Sequence, residues 1–270
     1  MEKIKLAIIG CGNIGSAVLR FAVKELSGRV SAIYLWDTDA ARMDVLVKEL
    51  KNPQAAKDMG SAVSDADLIV ECVSPRVASE LLNLSVKKKK DLIVLSAGGL
   101  LGKEKLLEEA DVKGVKIIVP SGALAGIDAL KAAKMAGISR VTLTTRKPPA
   151  SMRGVKYLME KGVNVDEIRT ETVVFDGPAK DAIKYFPANI NVSIILSLAG
   201  IGPEKTKVRI VVSPEFTTNS HEVVVEGASG TIKTLTDNVP SPINPKTSYL
   251  AVLSATAALK GYFQTVRIGN

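Results

Sequence analysis

A glycine-rich motif near the N-terminus has a spacing that suits phosphate binding. It reads Gly10-Cys11-Gly12-Asn13-Ile14-Gly15 and joins a predicted strand over residues 3–9 to a predicted helix over residues 12–26. In that setting Gly10 permits a tight turn, Gly12 lets the backbone approach a pyrophosphate, and Gly15 lets the helix pack close to the strand. Free N–H groups at the helix start, around Asn13 and Ile14, would face the phosphates. The motif therefore predicts a dinucleotide-binding site.

An acidic residue, Asp37, follows the second predicted strand, which covers residues 30–36. It lies about 20 residues after the motif, where a carboxylate typically binds the ribose hydroxyls of adenosine. A 2′-phosphate there would meet like charge, so the sequence favours NAD over NADP. Arg42 lies close in sequence and would soften that preference. A helix-capping role is the alternative explanation for Asp37.

Two later loops follow the predicted strands over residues 67–73 and 91–96, and they contain Ser74 and Ala97. Loops at the carboxyl ends of such strands line the cofactor crevice of doubly wound sheets. Ordinary turn chemistry explains both residues equally well, so both interpretations stay open.

The second candidate site centres on the only histidine of the chain, His221. We expect it at the mouth of a strand over residues 222–226. The ordinary pKa of histidine lies near neutrality, so His221 is an acid/base group that needs no special tuning. On composition alone, a surface or core position without a catalytic task is an equally good explanation.

The predicted strands and helices indicate in which domain each candidate site residue lies. Up to residue 119, short apolar strands alternate with helices, as in parallel sheets with right-handed crossovers. Later segments read as strands with a hairpin signal at residues 227–230, a helix over residues 123–136 and a final helix over residues 247–263. The prediction is an α/β protein with a Rossmann-type doubly wound parallel sheet and a second α+β domain with a mainly antiparallel sheet. The expected bounds are 1–122 for the dinucleotide-binding domain and 123–245 for the substrate and dimerisation domain, with the helix in 246–270 packing back on the first.

Composition excludes several other classes of protein. The chain has 270 residues, of which 46% are hydrophobic and 24% charged, as in ordinary globular proteins. The net charge of +8 includes one dense basic run, residues 87–90, without interleaved aromatics, so we expect a solvated helix end and no nucleic-acid partner. Cys11 and Cys72 form neither a disulfide framework nor a zinc site, and no metal is expected. No signal-peptide pattern or membrane-length apolar run is present, so we expect a soluble, cytoplasmic protein with no membrane partner.

Four longer segments resemble the L-aspartate dehydrogenases of NAD biosynthesis. They are residues 121–130 (SGALAGIDAL), 186–192 (FPANINV), 219–222 (NSHE) and 244–248 (NPKTS). The resemblance covers nearly the whole chain in the family's order and length. The first and last segments are far more specific than the glycine motif.

The resemblance implies NAD-dependent oxidative deamination of L-aspartate to iminoaspartate, which then yields oxaloacetate and ammonia. It identifies His221 with the active-site histidine, which is the candidate base that takes a proton from the substrate ammonium group or activates water for imine hydrolysis. It also implies a homodimer that passes iminoaspartate to quinolinate synthase. One of Ala123 and Ala125, and one of Asn189 and Asn191, correspond to NAD contacts, with Asn191 favoured. The dicarboxylate needs cations and hydroxyls, for which the candidates are Ser121, the backbone of Gly122, Lys246, Thr247 and Ser248. Lys246 is also the rival catalytic base, unless it is a surface cation.

Two other interpretations are compatible with the sequence. One is another two-domain NAD(P)-dependent oxidoreductase, similar to homoserine dehydrogenase or dihydrodipicolinate reductase. The other is an NAD-binding sensor without catalysis, which would have no need of His221.

Overall fold

The computed structural model describes residues 3–50, 52–186, 191–245 and 247–269, and it divides into two compact units. The first unit contains the described residues up to Pro120 together with Val252–Val266. The second contains Ser121–Ala251 and the residues from Arg267. Two of the predicted site residues, Asn189 and Lys246, lie outside the described residues.

The first unit is built on a six-stranded parallel sheet with the order β3-β2-β1-β4-β5-β6. Its inner strands are continuous apolar runs, as expected for strands covered on both faces. Leu6, Ala7, Ile8 and Ile9 in β1 are fully buried. The strands are β1 (Ile4–Ile9), β2 (Val30–Trp36), β3 (Pro53–Ala55), β4 (Leu68–Glu71), β5 (Asp91–Val94) and β6 (Ile117–Ile118).

Five helices connect these strands: α1 (Asn13–Glu25), α2 (Ala40–Leu50), α3 (Met59–Asp65), α4 (Pro75–Lys88) and α5 (Glu104–Val112). Local chemistry sets both ends of α4. Ser74 caps α4 and Pro75 occupies its first turn, where a missing N–H has no cost. At the other end Lys89 adopts a left-handed conformation, with φ of 54°, and stops the helix.

The second unit contains a five-stranded sheet with the order β11-β10-β7-β9-β8. β7 and β9 are parallel, and the other neighbouring pairs are antiparallel. The strands are β7 (Ile138–Lys147), β8 (Thr172–Pro178), β9 (Thr206–Val212), β10 (Asn219–Gly227) and β11 (Gly230–Asn238). Gly227 pairs with Gly230, so the predicted hairpin is confirmed.

One face of this sheet forms the core of the second unit with four helices: α6 (Ile127–Lys134), α7 (Lys156–Glu160), α8 (Ala179–Tyr185) and α9 (Asn191–Ala199). Alternate residues of each strand point to this face. They include Val141 and Leu143 of β7, and Val223 and Val225 of β10. Ion pairs such as Arg146–Glu222, at 3.5 Å, therefore belong to the opposite face.

The final helix, α10 (Tyr249–Tyr262), adds Ala255 and Leu259 to the core of the first unit. The hydroxyl of Tyr262 donates a hydrogen bond to Asp91 Oδ2 at 2.8 Å, which joins the helix end to β5. In the described part of the chain, no helix combines the length and the apolar character needed to cross a membrane.

The predicted fold class is confirmed, but the predicted helix over residues 123–136 is wrong at its start. α6 begins only at Ile127. The reason is that Gly122 and Gly126 have φ values of +64° and +79°, a left-handed backbone that a right-handed helix excludes. Residues 123–125 are therefore a loop, and their carbonyl groups are available to other partners.

Candidate functional site

The glycine motif has the backbone geometry that its spacing predicts. Gly10 has a φ of +100°, and a Cβ there would lie 2.6 Å from the carbonyl oxygen of Cys72. A Cβ on Gly15 would lie 1.8 Å from the carbonyl oxygen of Gly10, so only glycine lets α1 pack this close to the loop. A Cβ on Gly12 would meet nothing within 4 Å. The backbone at Gly12 is thus open to a ligand.

The start of α1 suits an anion. Gly12 is the residue that precedes the helix, and the first turn contains no acidic side chain. Asn13 and Ile14 are partly exposed there. The N–H groups of a first helical turn lack partners within the helix, and the helix dipole is positive at this end.

Asp37 fixes the glycine motif to the end of β2. Its Oδ2 accepts a hydrogen bond from the N–H of Cys11 at 2.6 Å, and its Oδ1 accepts one from the N–H of Asp39 at 2.9 Å. The residue is half-buried, so the carboxylate keeps access to solvent. Arg42 forms an ion pair with Asp39, at 3.0 Å. Arg42, the cation that would favour a 2′-phosphate, is therefore already paired with Asp39.

A buried carboxylate that sequence reasoning missed organises the two later loops. Glu71 ends β4 and is fully buried. It accepts hydrogen bonds from the N–H groups of Val73, Ser74 and Ser96 at 2.7, 3.0 and 2.9 Å, and from the Ser96 hydroxyl at 2.9 Å. Burial raises the pKa of the Glu71 carboxyl, although these hydrogen bonds oppose the shift. The loops that contain Ser74 and Ala97 are thereby held at one edge of the sheet.

In the second unit, His221 lies inside β10 and not at the mouth of a strand as predicted. It is 7% exposed and pairs with Thr145 of β7 in the sheet register. Its Nδ1 lies 3.0 Å from the Thr145 hydroxyl oxygen. Because Thr145 occupies Nδ1, a substrate would meet the other ring nitrogen, Nε2.

A buried lysine that sequence reasoning also missed lies beside this imidazole. Lys147 is two residues beyond Thr145 on β7, hence on the same face of the sheet, and it is 4% exposed. Burial lowers the pKa of Lys147 to about 8. Burial, together with the nearby charge of Lys147, lowers the pKa of His221 to about 4. In the sequence, Lys147 follows Arg146 and precedes two prolines, as an exposed cation at the end of a strand would. The local sequence therefore gives no sign of its burial.

The loop of residues 123–125 is attached to β11 next to His221. The carbonyl oxygen of Ala123 accepts hydrogen bonds from the Thr236 hydroxyl at 2.9 Å and from Asn238 Nδ2 at 3.4 Å. The carbonyl oxygen of Ala125 accepts one from the Thr234 hydroxyl at 3.2 Å. Thr236 pairs with His221 in the register of β10 and β11. The structure therefore brings the predicted Ala123 and Ala125 close to the strand of the predicted histidine.

Asn238 links this loop to a second predicted segment. Its Oδ1 accepts a hydrogen bond from the Ser248 hydroxyl at 2.8 Å, and its side chain is buried. Thr247 is partly buried, and its carbonyl oxygen accepts a hydrogen bond from the Ser241 N–H at 2.8 Å. Sequence reasoning missed Asn238.

The other predicted residues are less enclosed. Ser121 and Gly122 are partly buried, and Asn191 is exposed at the first residue of α9.

We call the residues that share the polar end of this sheet face the polar cluster: Thr145, Lys147, Asn219, His221, Thr236 and Asn238. The same face is apolar further along, at Val141 and Val225, where it forms the core. An imidazole that is neutral near pH 7, an amine that titrates near that pH and several hydroxyl and amide groups lie together there. Such a cluster can bind a polar substrate and move a proton.

Comparisons with known proteins connect these sites to an activity. A family model described as "Aspartate dehydrogenase, C-terminal" matches residues 128–262, and a model described as "Homoserine dehydrogenase, NAD binding domain" matches residues 10–120. L-aspartate dehydrogenase of Methanosarcina acetivorans is 42% identical, over 99% of this chain and 100% of the relative. L-aspartate dehydrogenase of Methanococcoides burtonii is 39% identical, again over 99% and 100%.

A solved structure gives the same result at the level of the fold. The crystal structure of aspartate dehydrogenase from Thermotoga maritima has a TM-score of 0.77 and 27% identity, and the match covers 99% of this chain and 100% of that one. An inositol dehydrogenase from Lactobacillus casei, at 14% identity and a TM-score of 0.58, shares the fold alone.

Proposed function

This chain belongs to the L-aspartate dehydrogenase family, and from that membership we propose that it catalyses the NAD(P)-dependent oxidation of L-aspartate to iminoaspartate. Iminoaspartate then hydrolyses to oxaloacetate and ammonia. The observation that carries the proposal is the match of the aspartate dehydrogenase model to residues 128–262, because that range contains every residue of the polar cluster. Neither a sensor nor a different two-domain dehydrogenase accounts for this match as well.

The first unit has the features needed to hold NAD, and we assign it as the dinucleotide-binding domain. The open backbone at Gly12 and the N–H groups of Asn13 and Ile14 fit a pyrophosphate. Asp37 is assigned to the adenosine ribose, which favours NAD over NADP. The remaining assigned cofactor contacts are Gly10, Gly15, Ser74, Ala97, Ala123, Ala125, Asn189 and Asn191. When bound, NAD supplies the hydride acceptor of the reaction.

The second unit has the features needed for the substrate. His221 presents Nε2, and because its pKa is about 4 the ring is neutral at pH 7 and can share a hydrogen bond with the substrate amino group. Thr145 fixes the orientation of the ring. Ser121, the backbone of Gly122, Lys246, Thr247 and Ser248 are assigned to the two carboxylates, which are costly to desolvate unless they are paired.

Three further assignments come from the family resemblance. We propose a homodimer, which the family resemblance implies. Iminoaspartate would pass to quinolinate synthase, and the enzyme would act in the cytoplasm. Sedimentation velocity tests the dimer.

The test of the function is an initial-rate measurement that follows NADH absorbance. L-aspartate with NAD should give NADH, and NADP should be used no better than NAD. Other amino acids, including homoserine, are the controls. Absence of aspartate-dependent NADH formation would contradict the proposed function.

A further inference from the structure

Lys147 and His221 lie on neighbouring strands and on one face of the sheet in the second unit. His221 of β10 pairs directly with Thr145 of β7, and Ser220 pairs with Arg146. Lys147 is the next residue of β7 beyond these two pairs. Residues that alternate along β7 and β10 share a face, which places Lys147 diagonally across from His221. Both side chains are buried, at 4% and 7% exposure. An amine and an imidazole are thus buried on one face of the sheet, near enough for the Lys147 charge to lower the pKa of His221.

A hydrogen-bond acceptor in the same place suits an ammonium ligand. Asn219 is two residues before His221 on β10 and therefore on the same face. Its Oδ1 is buried and has no hydrogen-bond partner within the described ranges. Buried polar atoms are normally paired, so an unpaired acceptor in a binding region points to a donor that arrives with a ligand. The α-ammonium group of an amino acid is such a donor.

His221 and Lys147 change protonation at different pH values because their pKa values differ. The pKa of His221 is about 4, so its ring has already lost its proton when Lys147 titrates near pH 8. α9, which packs in this core, contains no titratable side chain. On β9 the core face presents Val208, Ile210 and Val212. Arg146 and Glu222 belong to the opposite face. Lys147 is therefore the group of the cluster with a protonation change near neutral pH.

We propose that Lys147 is a catalytic residue, the general base that accepts the proton of the substrate ammonium group, while His221 and Asn219 hold that group in place. This inference rests on the proposed function. In the step, one N–H bond of the α-ammonium breaks and its electron pair stays on the substrate nitrogen. A new N–H bond forms on Lys147 Nζ, which changes from amine to ammonium. The nitrogen pair then forms the C=N bond as the Cα–H bond breaks and its electrons leave as hydride to NAD, the oxidant.

The first test is the pH dependence of catalysis. For the parent enzyme, kcat/KM for aspartate should fall with a single ionisation below a pH of about 8, because only the unprotonated amine can accept a proton. Lys147→Met should lose about 10²–10⁴-fold in turnover and should lose that ionisation. Added methylamine should restore part of the rate. Lys134→Met, which removes an exposed lysine at the end of α6, is the matched control and should behave like the parent.

Lys147→Arg distinguishes a base from a fixed cation. Arginine keeps the positive charge but does not release its proton in this range. If Lys147 is the base, arginine cannot perform its role, so Lys147→Arg should be as slow as Lys147→Met. An arginine variant within tenfold of the parent would overturn the proposal, as would an ionisation near pH 8 that persists in Lys147→Met.

A readout without turnover uses the single histidine of the chain. The NMR signal of the His221 ring should shift near pH 8, as the neighbouring amine loses its charge, and should not do so in Lys147→Met. A parent spectrum without this shift overturns the proposal even if the variants fail to fold. If the shift is present but the parent forms no NADH with aspartate, the proposed function is wrong. In that case Lys147 still titrates near His221, and only its role as the base for aspartate is overturned.

Discussion

His221 and Thr145 form the contact that fixes the imidazole of the polar cluster, at 3.0 Å. His221→Ala removes a ring that we assign to hold the substrate amino group for deprotonation, so the variant should lose the contribution of about 10²–10⁴-fold that a positioned proton transfer makes to the rate. Turnover should fall within that range, and NAD affinity should stay near the parent value. Initial rates and an NAD titration check this. Turnover within about threefold of the parent would be far short of that range and would contradict the assignment.

Asp37 has two roles. Its carboxylate accepts a hydrogen bond from the Cys11 N–H, and it is assigned to the ribose hydroxyls. Asp37→Ser should weaken NAD binding by about 1–3 kcal/mol, the scale of hydrogen bonds to a charged group. NADP should lose less, because the like charge facing a 2′-phosphate is gone. Asp37→Asn is the control, since its amide oxygen can still accept from Cys11. Isothermal titration with both cofactors decides, and an unchanged NAD to NADP ratio in both variants would place the ribose elsewhere.

At the scale of elements, Glu71 joins the ends of β4 and β5 to the loops that follow them. Glu71→Gln replaces an acceptor by an amide NH₂ that must face a backbone N–H, and leaving such buried donors unpaired costs about 1–3 kcal/mol. Urea unfolding at pH 7 should show this loss, reduced by the cost of burying the charged carboxylate, which the neutral amide does not have. Glu80→Gln, an exposed change on α4, should stay within about 0.5 kcal/mol of the parent.

The pH dependence gives a second readout for Glu71. Burial raises its pKa above the ordinary value of 4.5. A raised carboxyl pKa favours the fold when the group is protonated, so this contribution is present below the ordinary value and declines as pH rises through the raised one. In Glu71→Gln the free energy of unfolding should lack that decline. A parallel pH dependence of parent and variant would contradict the burial argument.

Most elements could be predicted because each has its own apolar pattern. β2 occurs at the predicted residues, and the glycine motif opens α1 one residue after the predicted start. β3 was missed because three residues beginning with Pro53 show no strand pattern. α3 was missed because its capping box uses Ser61, where glutamate or glutamine is usual.

The candidate site could be predicted only where one residue type carried the signal. His221 is conspicuous as the single histidine, and Asp37 follows a motif of known spacing. Lys147 and Asn238 gain their roles from burial and from partners on other strands. No local pattern reports such contacts, because a strand-end lysine or asparagine is usually solvated.

At the scale of the whole molecule, ligand binding should change stability. A ligand that binds only the folded state adds about 2.7 kcal/mol to the free energy of unfolding at 100 times its Kd. NAD at that excess should therefore raise the unfolding temperature of the parent, and equal concentrations of NADP should raise it less. Differential scanning calorimetry measures both shifts. A larger shift with NADP would contradict the preference assigned to Asp37.

The hydrogen bonds around Ala123 have a consequence for how the protein is made. They join residues that are 113 and 115 positions apart, and Ser248 closes the same group from a further segment. Closing loops of this length costs entropy before the contacts repay it. During synthesis these bonds cannot form until β11 and the residues up to Ser248 have left the ribosome. A nascent or truncated chain with its first sheet already assembled would thus lack a complete polar cluster, so competence for catalysis arrives only after Ser248 has been added.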